Sequence, residues 1–262
     1  MGSKIWILLV LALPILLFVT DTFIVSPAIY EKEGALHDFF IKYLVSPAEK
    51  MGLSMDDIIY FLPKYVWDFY IIIFSTLLIM ITDIKFSDFG FSFTGLKKEI
   101  IIGVLFFVVD IILVFGVIYV SSYIPNYVKD FSLSNFGAEK SDVSSNGSAS
   151  VPAESAKPIL GFKFLILNFI LYFFFVGPAE EVFRLFTFLK LEKVSNGFVA
   201  FVLSAFMFGA MHIFGSGFQC INAFVGGLAY NALWLLRGRR IMSPIVAHGF
   251  YDFMLTVLPF IF

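Results

Sequence analysis

Six ionisable side chains lie within segments of this chain that are otherwise strongly apolar. They are Glu180, Glu181, Arg184, His212, His248 and Asp252, all in the last third of the sequence. An ionisable group at membrane depth costs about 2.5 kcal/mol or more, so such groups are rare without a functional reason. Carboxylates and imidazoles are also the side chains that activate water or hold a metal ion. We therefore expect the functional site in this third of the chain.

The first motif is Pro178-Ala-Glu-Glu-Val-Phe-Arg184. Pro178 suits the first turn of a helix, where its missing N–H is no loss. Glu180 and Arg184 are four residues apart and can pair on one helix face, whereas Glu181 points about 100° away. One acid is then neutralised and the other is left to act as a general base. The alternative is a solvated charge cluster at the membrane edge.

Two further motifs carry histidines, Phe208-Gly-Ala-Met-His212 and His248-Gly-Phe-Tyr-Asp252. A single histidine in an apolar helix, such as His212, is often a packing residue or an interhelical hydrogen bonder. His248 and Asp252 are four residues apart, so Asp252 can accept a ring N–H and fix the tautomer of His248. The alternative for this pair is a polar clamp between helices.

Other polar groups are weaker candidates. A glutamate with two histidines resembles a zinc-ligand set, but these ligands would have to converge from different helices, so a metal stays an alternative that is not favoured, and we expect no other cofactor. The sequence around Cys220 has no nucleophile signature. Asp110 is a further intramembrane acid, which pairs with an asparagine or lines a cavity. Its candidate partners are Asn168, Asn222 and Asn231.

The composition predicts a polytopic membrane protein. Of 262 residues, 60% are hydrophobic and only 15% are charged, whereas a soluble domain has about 45–50% apolar and about 25% charged residues. No basic block suggests nucleic acid. The apolar stretch 5–20 follows Lys4 but lacks the small-residue cleavage site of a signal peptide, so we expect an uncleaved anchor. We expect the plasma membrane of a prokaryote.

The apolar segments predict an all-α fold of seven to eight transmembrane helices, because continuous apolar runs of about 20 residues span lipid as helices. The seven spans are Ile5–Val25, Val66–Ile84, Ile100–Ile124, Phe162–Val176 with its continuation, Gly197–Phe214, Phe218–Leu236 and Ile241–Phe262. An eighth would form if the stretch after Pro178 crossed separately. The excess of basic residues in cytoplasmic loops favours seven. That layout puts on one side Lys85, Lys97, Lys98, Lys190, Lys193, Arg237, Arg239 and Arg240.

Three regions follow from this layout. Residues 1–124 form an N-terminal membrane part with three spans and an interfacial segment at 26–65. Residues 125–158 are rich in Ser, Gly and Asn and predict a flexible extramembrane loop. Residues 159–262 hold all three motifs and form a helical bundle with a catalytic composition.

Taken in order, the three motifs resemble those of the CPBP family over roughly residues 160–262. This family comprises CAAX-type intramembrane proteases (Rce1-like) and the related abortive-infection and bacteriocin self-immunity proteins. Its pattern is Glu-Glu-x-x-x-Arg, then Phe-x-x-x-His, then His-x-x-x-Asn. The counterparts here are Glu180-Glu181-Val-Phe-Arg184, Phe208-Gly-Ala-Met-His212 and His248-Gly-Phe-Tyr-Asp252.

The chain departs from the family pattern at two places. Only Val182 and Phe183 separate the Glu pair from Arg184, one residue fewer than in the family. Aligning on Arg184 places Ala179 at the first family glutamate, whereas aligning on the Glu pair makes Glu180 the base. Asp252 replaces the usual asparagine, and an ionised aspartate accepts hydrogen bonds but cannot donate them.

The resemblance implies an intramembrane endopeptidase in which a glutamate-activated water attacks a peptide bond. Glu180 or Glu181 would be the base, with His212 orienting the water. His248 and Asp252 would face the developing oxyanion, while Arg184 and Phe208 support the site. The substrate would be a membrane-anchored peptide or protein, such as a prenylated CAAX peptide.

Two other functions compete with this interpretation. A catalytically inactive relative, acting as an immunity or scaffold membrane protein, is favoured by the short first motif and by Asp252. A proton- or ion-coupled transporter would use the intramembrane acids and histidines as a relay. Transporters usually consist of two related halves, and the sequence contains no such repeat.

Overall fold

The computed structural model describes residues 55–121, 162–212 and 217–257, together with isolated positions at 19, 34, 38, 41–46, 49 and 123. All regular secondary structure in these residues is helical, which confirms the all-α class. The α-helices are α1 (Met55–Met80), α2 (Leu96–Ser121), α3 (Phe162–Leu171), α4 (Gly177–Glu192), α5 (Gly197–Met211), α6 (Gly217–Leu236) and α7 (Met242–Val257). Shorter helices are the 3-10 helix Phe86–Phe89 and the π-helices Ile41–Val45 and Tyr172–Val176.

Two of these helical stretches are long and apolar enough to cross a membrane. They are Leu96–Val120, with a mean hydropathy of 3.1, and the 29-residue stretch Phe164–Glu192. Asp68–Met80 and Gly197–Met211 are shorter apolar helices. The predicted loop 125–158 lies outside the described residues, as do the predicted first span Ile5–Val25 except Val19 and half of the interfacial segment 26–65.

The chain does not turn back at Pro178. α3, the π-turn Tyr172–Val176 and α4 follow one another directly, and Pro178 occupies the first turn of α4. This confirms that the stretch after Pro178 extends the fourth span. A Cβ atom on Gly177 would lie 2.9 Å from the Tyr172 carbonyl oxygen and 3.3 Å from the Gly249 nitrogen. A glycine is therefore required where the π-turn passes α7.

α4 is the central helix of the described bundle. α1, α5 and α7 all pack against it, α6 packs against α5, and α2 packs along α7 and α6. Phe183, Phe186 and Phe208 are fully buried with Trp234 from α6. The first motif therefore lies in the interior of the bundle, which contradicts the alternative of a solvated cluster at the membrane edge.

The predicted basic loops meet at one end of the bundle. Lys190 pairs with Asp83, and Arg239 Nη2 lies 2.6 Å from Glu192 Oε1. Hydrogen bonding to Lys190 lowers the pKa of Asp83 to about 2. Since a lowered pKa keeps the carboxylate ionised down to that value, this pair is lost only as the pH falls toward 2. The basic residues that the predicted layout puts on one side thus include Lys190 and Arg239, which meet at one end of the described bundle.

Helix α2 passes close to α7 at Gly103. A Cβ atom there would lie 2.6 Å from Val246 Cβ and 2.8 Å from the Ser243 carbonyl oxygen. We expect Gly103→Ala to lower the free energy of unfolding by about 1–3 kcal/mol, because the added methyl group overpacks this contact. SDS titration in mixed micelles measures the change.

Gly116 offers a matched control on the same helix, because a Cβ atom there meets nothing within 4 Å. Gly116→Ala should leave the stability unchanged or raise it, since alanine favours helix. Equal effects of the two substitutions would mean that the α2–α7 contact is not tight.

Candidate active site

Both ring nitrogens of His248 contact glutamates of the first motif. His248 Nε2 lies 2.9 Å from Glu180 Oε2, and His248 Nδ1 lies 3.1 Å from Glu181 Oε1. All three side chains are buried, with at most 5% exposed. The two glutamates are neighbours on α4, and the imidazole from α7 reaches both. The first and third motifs therefore form one cluster inside the bundle.

Arg184 binds Glu181 and not Glu180, so the predicted i,i+4 pair is wrong. Its Nη2 contacts Glu181 Oε2, and its Nε lies 3.3 Å from Glu181 Oε1. Arg184 Nη1 also donates to Asn231 Oδ1 from α6. Asn231 Nδ2 in turn donates to Ser204 Oγ at 2.8 Å. This interhelical network directs the guanidinium toward Glu181, so the charge of Glu181 is compensated.

His212 ends α5 next to the same cluster. Its ring lies 5.0 Å from the Phe208 ring, which also contacts His248 edge-on at 5.7 Å. A charged His212 would lie within Coulombic range of Glu180. His212 Nδ1 lies 2.9 Å from the Phe208 carbonyl oxygen. Since a carbonyl only accepts, Nδ1 is the donor, and the Nε2 of a neutral His212 is then an acceptor.

Asp252 lies at the more exposed side of the cluster. Its Oδ2 is 3.6 Å from His248 Nε2, and 17% of its side chain is exposed. The glutamates are closer to the ring nitrogens than Asp252 is. They are therefore its nearest partners, and the role of Asp252 in fixing the tautomer of His248 stays a prediction.

One group of described residues could hold a metal ion. Ligand atoms of Glu180, His248 and Asp252 all lie within 4.8 Å of one another. Two carboxylates and an imidazole suit Zn²⁺, and Glu181 on the other ring nitrogen is the hydrogen bond that metal-bound histidines usually make. The predicted set was a glutamate with two histidines. In the structure the ligand atoms that lie close together include Asp252 in place of His212.

Asp110 also reaches this cluster. It accepts a hydrogen bond from the Tyr230 hydroxyl at 2.9 Å, and not from any of the three asparagines proposed from the sequence. The Tyr230 ring stacks on His248 with a centroid distance of 4.9 Å. No local spacing links Asp110 on α2 to Tyr230 on α6. The only sequence signal was the charge of Asp110 in an apolar run.

Chemically, the cluster combines one carboxylate compensated by arginine with a second carboxylate that faces an imidazole. Glu180 is the second of these, and His212 is near it. Such an arrangement can accept a proton from water in a site from which bulk solvent is largely excluded.

Comparison with known proteins identifies part of the chain. Residues 162–254 match the sequence model of the type II CAAX prenyl endopeptidase Rce1-like family. Searches of curated proteins and of solved structures returned no match to the chain. The matched segment contains all three motifs and ends shortly after Asp252. Residues 162–254 are thus a domain of the Rce1-like CAAX prenyl endopeptidase (CPBP) family, whose members are polytopic membrane proteins.

Proposed function

We propose that this protein is an intramembrane endopeptidase in which Glu180 activates the attacking water. The proposal rests on the observation that the two neighbouring glutamates have different partners. Arg184 compensates the charge of Glu181, whereas Glu180 has no guanidinium partner among the described residues and contacts His248 at 2.9 Å. A carboxylate held by a guanidinium is a poor proton acceptor, so Glu180 is the better candidate for the general base.

In this mechanism the water lies between Glu180 and His212. One of its protons goes to Glu180, and the other donates to His212 Nε2, which is the accepting ring nitrogen when Nδ1 carries the proton. The water oxygen attacks the scissile carbonyl carbon, and Glu180 passes its proton to the leaving amine. His248 uses both nitrogens on glutamates. We therefore assign it to holding Glu180, in place of the oxyanion role expected from the sequence.

The substrate is proposed to be a membrane-anchored peptide or protein. Glu180 lies about 18 Å along α4 from Glu192 at the basic end of the bundle. A soluble peptide would have to leave water to reach this depth, whereas an anchored one is already held at the membrane. A prenylated CAAX peptide is the first substrate to test, because it has a lipid beside a short peptide.

The experiment is a cleavage assay with the purified full chain and a panel of prenylated CAAX peptides. We expect the parent protein to cleave at least one of them and His212→Ala to be slower. Equal rates on every peptide would overturn the role of His212. No cleavage of any peptide would favour an inactive relative that acts as an immunity or scaffold protein, a reading supported by the short first motif and by Asp252.

A metal-dependent mechanism would use the same residues differently, and chelation separates the two. Glu180 and His248 already form a direct hydrogen bond across the atoms that would bind the ion. We expect 1,10-phenanthroline to leave the cleavage rate unchanged and Asp252→Asn to remain active, because asparagine preserves the shape of the site. Loss of cleavage under both treatments would favour a metal held by Glu180, His248 and Asp252.

A further inference from the structure

The acid Asp110 is buried next to the proposed active site, on a helix outside the matched segment. Only 3% of Asp110 is exposed. One of its carboxylate oxygens, Oδ2, accepts the Tyr230 hydroxyl. The other, Oδ1, is buried without a hydrogen-bond partner among the described residues. A buried carboxylate in this state is costly, so its retention in an apolar helix needs a reason.

Tyr230 connects this acid to His248. The tyrosine ring is nearly parallel to the imidazole, at an interplanar angle of 20° and a centroid distance of 4.9 Å. A tyrosine side chain has two rotatable bonds to its ring, so anchoring the hydroxyl at Asp110 fixes the plane of that ring. Phe208 contacts His248 edge-on at 83°. The imidazole is therefore held by two aromatic rings.

The orientation of this imidazole determines whether it can serve both glutamates. Its two nitrogens are 2.9 Å and 3.1 Å from Glu180 and Glu181. Rotation of the ring about its side-chain bonds would lengthen both contacts together. The charged and titratable groups around His248 are Glu180 and Glu181 from α4, Asp252 from α7, Tyr230 from α6 and, behind Tyr230, Asp110 from α2.

We propose that Asp110 and Tyr230 are positioning residues for His248: Asp110 anchors the Tyr230 hydroxyl, and the Tyr230 ring sets the plane in which the imidazole meets Glu180 and Glu181. The expected effect on turnover rests on the proposed function, whereas the orientation of the His248 ring by Tyr230 and Asp110 does not depend on it. A further consequence is that α2, which precedes residues 162–254, completes the site.

The first test observes His248 directly. The chain has three histidines, so ¹⁵N-histidine labelling of the full protein in lipid nanodiscs gives few ring resonances, and His248→Gln assigns those of His248. We expect Asp110→Leu, which removes the acceptor of the Tyr230 hydroxyl, and Tyr230→Leu to shift the His248 ring resonances and to leave those of His212 in place. Tyr230→Phe, which keeps the ring, should shift them less than Tyr230→Leu. Unchanged His248 resonances in Asp110→Leu and Tyr230→Leu would overturn the proposal.

Val117→Ala is the matched control, because Val117 is buried on α2 and lies outside the apolar cluster that packs around Tyr230. It should leave all histidine resonances in place, and a shift equal to that of Asp110→Leu would reduce Asp110 to a packing residue. With a cleavable peptide, Asp110→Leu should lower kcat about three- to tenfold without changing KM, as expected for the loss of one hydrogen bond. An effect on KM alone contradicts the proposal. If even the parent protein cleaves no peptide, the proposed function fails. The positioning of His248 is then judged from its ring resonances alone.

Discussion

Glu180→Gln is expected to lower the rate of peptide cleavage by about two to four orders of magnitude, the range that general-base catalysis contributes. Glutamine has nearly the same shape as glutamate but cannot take a proton from water. The buried contact with His248 can still form, so the fold should be retained. The measurement is single-turnover cleavage of the best prenylated peptide, with folding checked by SDS titration.

Glu192→Gln is the matched control on the same helix. Glu192 is partly exposed and pairs with Arg239 at the basic end, far from the cluster, so its substitution should leave the rate unchanged. A Glu180→Gln protein that cleaves at the parent rate would exclude Glu180 as the base. If Glu181→Gln alone abolished cleavage in a folded protein, the roles of the two glutamates would be reversed.

The second large effect concerns stability. Arg184→Met is expected to lower the free energy of unfolding by about 3–5 kcal/mol, because it leaves the buried Glu181 without its cation. Arg184 and Glu181 both have 0% of their side chains exposed. The Asn231 oxygen would lose its donor as well. SDS titration in mixed micelles measures the loss.

Two further variants make this test specific. The double variant Glu181→Gln/Arg184→Met should recover part of the stability, because removing both charges avoids an uncompensated buried ion. Lys193→Met removes a cation whose side chain is 59% exposed, 3.5 Å from Asp83, and should cost less than about 1 kcal/mol. Equal losses for Arg184→Met and Lys193→Met would contradict the buried network.

The sequence predicted the members of the site better than their pairings. Hydrophobic runs and the rarity of charges within them identified Glu180, His212 and His248, because the cost of burying an ionisable group does not depend on fold details. The partner of Arg184 was predicted incorrectly. Spacings of three and four residues are both compatible with a helical ion pair, and here Asn231 on another helix decides between them.

Local sequence patterns did not predict the contacts between segments that are far apart in the chain. The pairing of Asp110 with Tyr230 depends on how α2 packs against α6 and α7, which no local spacing encodes. The π-turn Tyr172–Val176 was not predicted either. Its extra residue per turn changes the rotation of α4 relative to α3, and with it the direction in which both glutamates point.

The buried Glu99 on α2 has a consequence for how the chain can be divided. Glu99 Oε1 lies 2.7 Å from Arg237 Nη2, and Glu99 Oε2 accepts the Ser243 hydroxyl. These partners come after residue 158, whereas Glu99 comes before residue 125. Separating the part of the chain before residue 125 from the part after residue 158 would expose a carboxylate and a guanidinium that now compensate each other. A nick between them, or their synthesis as two polypeptides, should therefore yield a heterodimer that assembles through complementary charges.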